Sequence, residues 1–263
     1  MKKFFVVGNP IEHSLSPKLH NYWIKKNNIK AIYEKKKINE NEINLLISEI
    51  RSGKLSGINI TVPFKKSVIE LLDELSVESQ ETQSVNTVYL DKGRIIGCNT
   101  DIFGFEQSLI HTKYNPQKKT ALILGAGGVV PSIIYVLKKM NIEKLFITNR
   151  TKEKANDLKK IFNDIEILEW GDLPQADIII NATSLGLKPE DNINIEYNKI
   201  GRKKFFYDVI YNPSETNFLK KGKILGNKTE NGKMMFIYQA QKSFSIWHKK
   251  NPIIDNEVIK LLS

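Results

Sequence analysis

Apolar residues along the chain form two recurring patterns, short continuous runs and helical spacings, and the two alternate over most of its length. In the N-terminal part, strands are predicted for KKFFVVG, AIYEKKK and SGINITV, and a hairpin for SVNTVYL-DKG-RIIGCNT. Between the first strands, SPKLHNYWIKKN predicts a helix with Ser16 as its N-cap and Pro17 at its first position. Another helix is predicted for NENEINLLISEI, where Ile43, Leu46 and Ile50 recur at helical spacing. This alternation predicts an α/β fold.

From about residue 101 the apolar runs lose their alternation with polar residues. Strands buried on both faces of a parallel sheet are predicted for KTALILGAGG, KLFITNR, ADIIINAT and KKFFYDVI. We therefore expect two domains around a cleft, an α/β substrate domain over residues 1–100 and a doubly wound, Rossmann-like nucleotide domain over residues 101–232. The amphipathic C-terminal segment, residues 233–263, is expected to pack back on the substrate domain.

Composition excludes several classes of protein. The 263 residues contain no apolar run near 18 residues, and the apolar start after Lys2 and Lys3 is too short for a signal peptide. The single cysteine, Cys98, excludes an internal disulfide and a cysteine metal cluster, so no metal site is predicted. The net charge of +11 comes from lysines spread along the chain without a basic stripe of interleaved aromatic residues. A cytoplasmic protein without nucleic-acid or membrane partners is expected, either a monomer or a homodimer.

The glycine-rich turn GAGG follows a predicted strand and precedes a predicted helix. Gly125 would permit the tight turn, Gly127 would let backbone amides approach a pyrophosphate, and Gly128 adds another position without a side chain. Pro131 suits the first turn of the helix, where a missing N–H costs nothing. This context favours a dinucleotide site, with a plain strand-to-helix turn as the alternative.

The next apolar strand ends in TNRT, where a site for NAD usually carries an acidic residue that bonds the ribose hydroxyls. This chain has Asn149 and Arg150 there, with Lys152 and Lys154 just beyond. A guanidinium group matches a 2′-phosphate in charge and geometry, which predicts NADP as the cofactor. The alternative is a solvated helix start with ordinary surface lysines.

The first half of the chain places hydroxyl and amide side chains, one lysine and one aspartate near predicted strand ends and turns. Such groups suit a polyhydroxylated acid, with serines for the carboxylate and amides for hydroxyls, although each alone is more often a cap or turn residue. Lys65 and Asp101 are candidates for proton transfer, whereas His13 and His20 fit hydrogen-bonded structural roles. The other candidates are Ser14, Ser16, Asn59, Thr61 and Asn86.

Nine segments, in order, resemble the signature segments of the shikimate dehydrogenase family, the NADP-dependent oxidoreductases of aromatic amino acid biosynthesis. They are GNPIEHSLSPKLHN, NITVPFK, VNTV, GCNTDIFGF, GAGG, NRTKEKA, NATSLG, YDVIYNPSETNFL and YQAQKSF. The chain departs from the family at Pro131, where an arginine or lysine is common, and at Lys233, where GKMMF replaces a GLGML-like segment.

The resemblance implies reversible reduction of 3-dehydroshikimate to shikimate by NADPH, with Lys65 and Asp101 as the catalytic pair. It implies substrate contacts from Ser14, Ser16, Asn59, Thr61, Asn86, Tyr211 and Gln239. It implies cofactor contacts from Gly125, Ala126, Gly127, Gly128, Asn149, Arg150, Thr151, Lys154, Thr183, Ser184, Val209 and Gly232. The alternatives are a quinate/shikimate dehydrogenase that uses NAD, a non-catalytic nucleotide-binding regulator on the same scaffold and, third, a basic nucleic-acid binder.

Overall fold

The computed structural model describes residues 1–262, and the chain divides into two compact units. Unit 1 comprises Met1–Gly104 and Ile237–Ser263, and unit 2 comprises Phe105–Phe236. Both boundaries fall inside helices, Thr100–His111 and Lys233–His248. Unit 1 is therefore built from both ends of the chain, whereas unit 2 is one continuous segment.

Unit 1 contains a mixed sheet with helices on both faces. Its strands are β1 (Lys2–Gly8), β2 (Ala31–Lys37), β3 (Gly57–Ile60), β4 (Glu74–Leu75), β5 (Thr87–Asp91) and β6 (Arg94–Cys98), in the order β2-β1-β3-β5-β6-β4. Its first helices are α1 (Ser16–Lys26), α2 (Ile43–Arg51), α3 (Val77–Thr82) and α4 (Thr100–His111), with 3₁₀ turns at Glu40–Glu42 and Ser67–Leu71. β5 and β6 form the predicted antiparallel hairpin, and Lys92 and Gly93 at its turn both have positive φ.

Side chains of β3 alternate between two buried environments. Ile58 and Ile60 belong to the apolar core under α2, so Asn59 between them points to the opposite face of the sheet. On the strand beside it, Thr87 is the register partner of Asn59. This alternation places a pair of polar residues inside an otherwise apolar sheet.

Unit 2 is a doubly wound α/β layer structure. Its strands are β7 (Thr120–Leu124), β8 (Lys144–Thr148), β9 (Glu166–Leu168), β10 (Ile178–Asn181), β11 (Phe205–Asp208) and β12 (Lys228–Glu230), and every pairing is parallel. Its helices are α5 (Val130–Lys139), α6 (Lys152–Ile161), α7 (Tyr197–Ile200) and α8 (Asn217–Ile224). The order β12-β11-β10-β7-β8-β9 reverses direction between β10 and β7, and ligands of such sheets bind where the strand order reverses.

The C-terminal helices return the chain to unit 1. They are α9 (Lys233–His248), of which the part from Ile237 onwards belongs to unit 1, and α10 (Asn256–Leu261). Trp247 stacks on Phe4 of β1 with ring centroids 4.8 Å apart, and the indole of Trp23 donates to the carbonyl of Ile253 at 3.2 Å. These contacts cover the face of the unit 1 sheet that carries Asn59.

One predicted helix start is wrong. The N-cap of α1 is Leu15, and Ser16 is the first helical residue, so Pro17 occupies the second position. The Ser16 hydroxyl makes no capping bond. Because it bonds the Tyr33 phenol across the sheet face, tertiary contact overrides the local capping preference of serine.

Candidate active site

A buried ion pair joins the two residues predicted to transfer a proton. Lys65 lies in the turn after β3, and Asp101 is the second residue of α4. The Lys65 ammonium contacts Asp101 Oδ2, and the two side chains are only 11% and 10% exposed. The Asn86 amide donates to Asp101 Oδ1 at 2.8 Å, so both carboxylate oxygens are engaged. Three residues that are distant in the chain thus form one compact charged group.

The amide of Asn59 is occupied at both ends by protein groups. Its Oδ1 accepts a 2.7 Å bond from the Tyr33 hydroxyl. Its Nδ2 lies 3.0 Å from the carbonyl of Asn86, 2.9 Å from the Thr87 hydroxyl and 3.1 Å from the Ser243 hydroxyl. An amide offers two hydrogens and an oxygen with two lone pairs, so protein acceptors surround Nδ2 while Oδ1 keeps one lone pair. That Asn59 bonds a substrate hydroxyl stays a prediction.

Ser14 and Ser16 lie together at the start of α1. The Ser16 amide donates to Ser14 Oγ at 3.4 Å, and Ser14 is half-buried while Ser16 is buried. Burial raises the pKa of the Tyr33 phenol well above its usual value, and the hydrogen bond with Ser16 works in the opposite direction. Half-buried Thr61 follows β3, and Gln239 lies in the part of α9 that belongs to unit 1.

In unit 2, the glycine turn lies at the switch point of the parallel sheet. Gly125 has φ +110°, and a Cβ there would lie 2.9 Å from the backbone of Ala182, so the position requires glycine. At Gly127 the nearest atom to an added Cβ is the carbonyl oxygen of Ala182 at 3.7 Å, and both Gly127 and Gly128 are exposed. The two exposed glycines leave their backbone accessible, and they come directly before α5. An accessible backbone at the first turn of a helix, at the switch point of a parallel sheet, fits a dinucleotide pyrophosphate.

The loop after β8 carries the basic residues predicted to select NADP. Arg150 and Lys154 are exposed, and neither has an ion-pair partner within residues 1–262. The Asn149 amide donates to the carbonyl of Thr151 at 2.6 Å, which holds the loop in shape. Lys152, in contrast, pairs with Glu169. Two free cations therefore remain at this edge of the described sheet.

A buried carboxylate organises the loop after β10. Asp208 accepts bonds from the Asn181 amide, the Ile210 backbone and the Thr216 hydroxyl at 3.0, 3.0 and 2.6 Å. Burial raises the pKa of Asp208 to about 6, although these bonds act in the opposite direction. Asn181 Oδ1 in turn accepts from the Thr183 hydroxyl at 2.7 Å, so the buried carboxylate shapes the loop that carries Thr183 and exposed Ser184.

Tyr211 and Gly232 both belong to unit 2. The Tyr211 ring stacks on Phe236 with centroids 4.4 Å apart. A Cβ on Gly232 would lie 2.1 Å from the carbonyl oxygen of Val209, so this glycine is required for close packing of two backbone segments. Within residues 1–262 no cluster of three or more His, Cys, Asp or Glu could hold a metal ion, and no helix is long and apolar enough to cross a bilayer.

Comparison with known proteins places this geometry in a family. Residues 6–88 match a family model described as the shikimate dehydrogenase substrate binding domain, and residues 108–210 match one described as shikimate / quinate 5-dehydrogenase. A protein of Pelagibacter ubique (strain HTCC1062), named shikimate dehydrogenase (NADP(+)), is 62% identical over 261 residues, 99% of this chain and 98% of the relative. The chain belongs to the shikimate dehydrogenase family.

Solved structures of shikimate dehydrogenases have the same fold. The crystal structure from Aquifex aeolicus is 36% identical, superposes with a TM-score of 0.90 and is matched over 100% of this chain and 97% of that one. The structure from Thermus thermophilus, in complex with NADP(H) and shikimate, is 29% identical with a TM-score of 0.88, over 100% of this chain and 98% of that one.

Sequence reasoning missed the buried polar groups behind the candidate residues. Thr87 and Thr100 are direct chain neighbours of Asn86 and Asp101, and Ser243 lies four residues after Gln239, on the same face of α9. Asp208 ends an otherwise apolar strand, which is itself a signal. All four lie inside the quoted signature segments, beside the residues that were singled out.

Proposed function

We propose that this chain catalyses the reversible, NADPH-dependent reduction of 3-dehydroshikimate to shikimate. The observation that carries the proposal is the buried Lys65–Asp101 ion pair, with Asn86 bonded to the second carboxylate oxygen. An ion pair this buried is expensive to desolvate, and functional sites are where such groups concentrate. Identity of 62% to a protein named shikimate dehydrogenase (NADP(+)) supports the same conclusion.

We assign substrate binding to residues of unit 1 and keep Tyr211 as a predicted substrate contact. Ser14 and Ser16 hold the substrate carboxylate through their hydroxyls, and Ser16 rotates its hydroxyl away from Tyr33 to do so. Ring hydroxyls are bonded by Thr61, Asn86, Gln239 and Tyr211. Asn59 joins this group through the remaining lone pair of its Oδ1, because protein groups already surround its Nδ2.

Proton transfer falls to the Lys65–Asp101 pair. As the ring carbonyl of 3-dehydroshikimate is reduced, its oxygen develops negative charge and needs a proton. Lys65 Nζ carries hydrogens that can meet that oxygen, and Asp101 orients the ammonium and offsets its charge. In the reverse direction the same pair takes the proton from the shikimate hydroxyl.

We assign the cofactor to unit 2. The pyrophosphate is held by the open backbone of the glycine turn and the start of α5, and the 2′-phosphate by Arg150 and Lys154, with Asn149 and Thr151 beside them. NADPH, when bound, supplies the hydride. The remaining contacts are assigned to Ala126, Thr183, Ser184, Val209 and Gly232. A cytoplasmic location and a monomeric or homodimeric state stay predictions.

The test is absorbance at the nicotinamide band with purified protein, shikimate and NADP⁺. We expect turnover that depends on both, with NADP⁺ preferred over NAD⁺ at least about tenfold in kcat/KM. The Lys65→Met variant, purified identically, is the control for activity carried over from the expression host. Equal use of NAD⁺ and turnover of quinate would favour the quinate/shikimate alternative. No turnover, but cofactor binding, would favour the regulator, and salt-sensitive DNA binding would favour the nucleic-acid binder.

A further inference from the structure

Three buried hydroxyl groups meet behind the catalytic pair in unit 1. They belong to Thr87 of β5, Thr100 at the start of α4 and Ser243 of α9, and we call them the hydroxyl cluster. Ser243 Oγ lies 3.0 Å from both threonine hydroxyls, which are 3.4 Å from each other. All three residues are at most 2% exposed. A buried hydroxyl is costly without a hydrogen-bond partner, and each of these three has partners in Asn86, Gln239 or the other members of the cluster.

The backbone N–H of Thr100 sets the orientation of the Asn86 amide, and the hydroxyl cluster reinforces it. The backbone N–H of Thr100 can only donate, so the Asn86 atom 2.8 Å from it is the oxygen, Oδ1. The hydroxyls of Thr87 and Thr100 lie 3.0 and 3.1 Å from the same oxygen. With the oxygen held at one end, Nδ2 faces the other way and donates to Asp101 Oδ1 at 2.8 Å.

The same cluster connects α9 and Asn59 to the sheet. Ser243 Oγ donates to the carbonyl of Gln239, one helical turn earlier, at 3.1 Å and accepts from Asn59 Nδ2 at the same distance. The position of Gln239 relative to the sheet therefore depends on the same hydroxyl cluster that contacts Asn86.

We propose that the hydroxyl cluster positions the reacting groups: it holds Asn86 so that its amide donates to Asp101 and keeps the carboxylate against Lys65. This inference rests on the proposed function. The cluster residues touch neither the ammonium nor the carboxylate of the pair, so they act through Asn86 and are positioning residues. Loss of a cluster hydroxyl removes one of the bonds that hold the Asn86 amide, so its position is less restrained and the pair spends less time in its reactive arrangement.

The test compares two substitutions at each threonine. Thr87→Val and Thr100→Val keep the shape and remove the hydroxyl, whereas Thr87→Ser and Thr100→Ser keep the hydroxyl and remove a methyl group. We expect each valine variant to lower kcat for shikimate oxidation about five- to tenfold, the effect of one lost buried hydrogen bond, and each serine variant to stay within about twofold. KM for NADP⁺ should be unchanged throughout.

Ser243→Ala is a third perturbation, from another element. Its matched control is Ser108→Ala, which removes an equally buried hydroxyl that bonds the Phe105 carbonyl at 2.8 Å and the Tyr207 hydroxyl at 2.9 Å within unit 2. Both variants lose a buried hydrogen bond, so thermal unfolding should be affected similarly. We expect kcat and shikimate affinity by calorimetry to fall only for Ser243→Ala.

Four outcomes are distinguishable. A wild-type protein that does not oxidise shikimate contradicts the proposed function itself. An active wild type whose serine variants lose as much kcat as the valine variants shows that packing matters and the hydroxyls do not, which overturns the inference alone. The inference also fails if Ser243→Ala and Ser108→Ala lower kcat equally. A hydroxyl-dependent loss of kcat at both threonines supports it.

Discussion

A double variant of the buried Lys65–Asp101 ion pair can separate its effect on folding stability from its effect on catalysis. Lys65→Met keeps much of the volume of the side chain but leaves the Asp101 carboxylate without its counter-ion, with Asn86 still donating to it. Breaking a buried pair costs about 3–5 kcal/mol. Because both side chains retain about a tenth of their exposure, we expect the low end, about 3 kcal/mol in the free energy of unfolding. The kcat should fall at least about a hundredfold, as for loss of a positioned proton donor.

Adding Asp101→Asn removes the unpaired charge and keeps an oxygen for the Asn86 amide. Stability should then recover by about 2 kcal/mol, since a neutral amide is far cheaper to bury than a lone carboxylate. Activity should not recover, because no ammonium remains to deliver the proton. Urea unfolding followed by circular dichroism, and shikimate oxidation by each variant, measure the two quantities independently.

An exposed pair is the control for this experiment. Lys138 and Asp164 lie 2.6 Å apart, with side chains 36% and 57% exposed, so Lys138→Met should cost less than about 1 kcal/mol and leave kcat unchanged. The reasoning is refuted if Lys65→Met is as stable as the wild type, or if the double variant regains turnover. The first result would mean that water screens the pair, and the second that another group donates the proton.

The remaining predictions concern substrate, cofactor and acid stability. Replacing Ser14 and Ser16 together by alanine should raise KM for shikimate about tenfold and leave KM for NADP⁺ alone; an unchanged shikimate KM removes the carboxylate assignment. Arg150→Ala should lower kcat/KM for NADP⁺ about tenfold more than for NAD⁺, and the difference should shrink in high salt; equal losses with both cofactors contradict the 2′-phosphate contact. Burial lowers the pKa of His20 from its usual 6.5 to about 3, and that of His248 to about 4. The unfolded chain binds these protons more readily than the folded chain does. The contribution of the neutral histidines to folding stability is therefore complete above pH 6.5 and is lost as the pH falls towards 3, by about 1.4 kcal/mol per pH unit for each proton. Urea midpoints of His20→Phe across pH 4–7 should vary less than those of the wild type, and an equal slope would contradict this account.

Sequence patterns correctly predicted those features that depend on a single strand or turn. Continuous apolar runs predicted the parallel sheet of unit 2, and GAGG predicted a turn in which Gly125 has positive φ. Local patterns failed at Ser16, whose hydroxyl crosses to Tyr33 and does not cap the helix.

Long-range packing explains what could not be predicted. The members of the hydroxyl cluster are separated by 13, 143 and 156 positions, and they meet because α9 returns across the sheet. A pattern within a short stretch of sequence cannot show that α9 packs back on this sheet. The contact of Asn59 Nδ2 with Ser243 has the same origin, since the two residues are 184 positions apart.

The break in unit 1 has a consequence for biosynthesis. Once Gly104 has been joined to the growing chain, all of Phe105–Phe236 must still be synthesised before the helix that covers Phe4 and Asn59. At ordinary translation speeds this takes on the order of 10 s. Throughout that interval the nascent sheet exposes an apolar face on which the side chains of Asn59 and Thr87 are uncovered, while unit 2 has its whole sequence available and can fold first. The last part of the chain to be made therefore completes the first sheet, and a ribosome that stalls before α9 releases an aggregation-prone protein without its hydroxyl cluster.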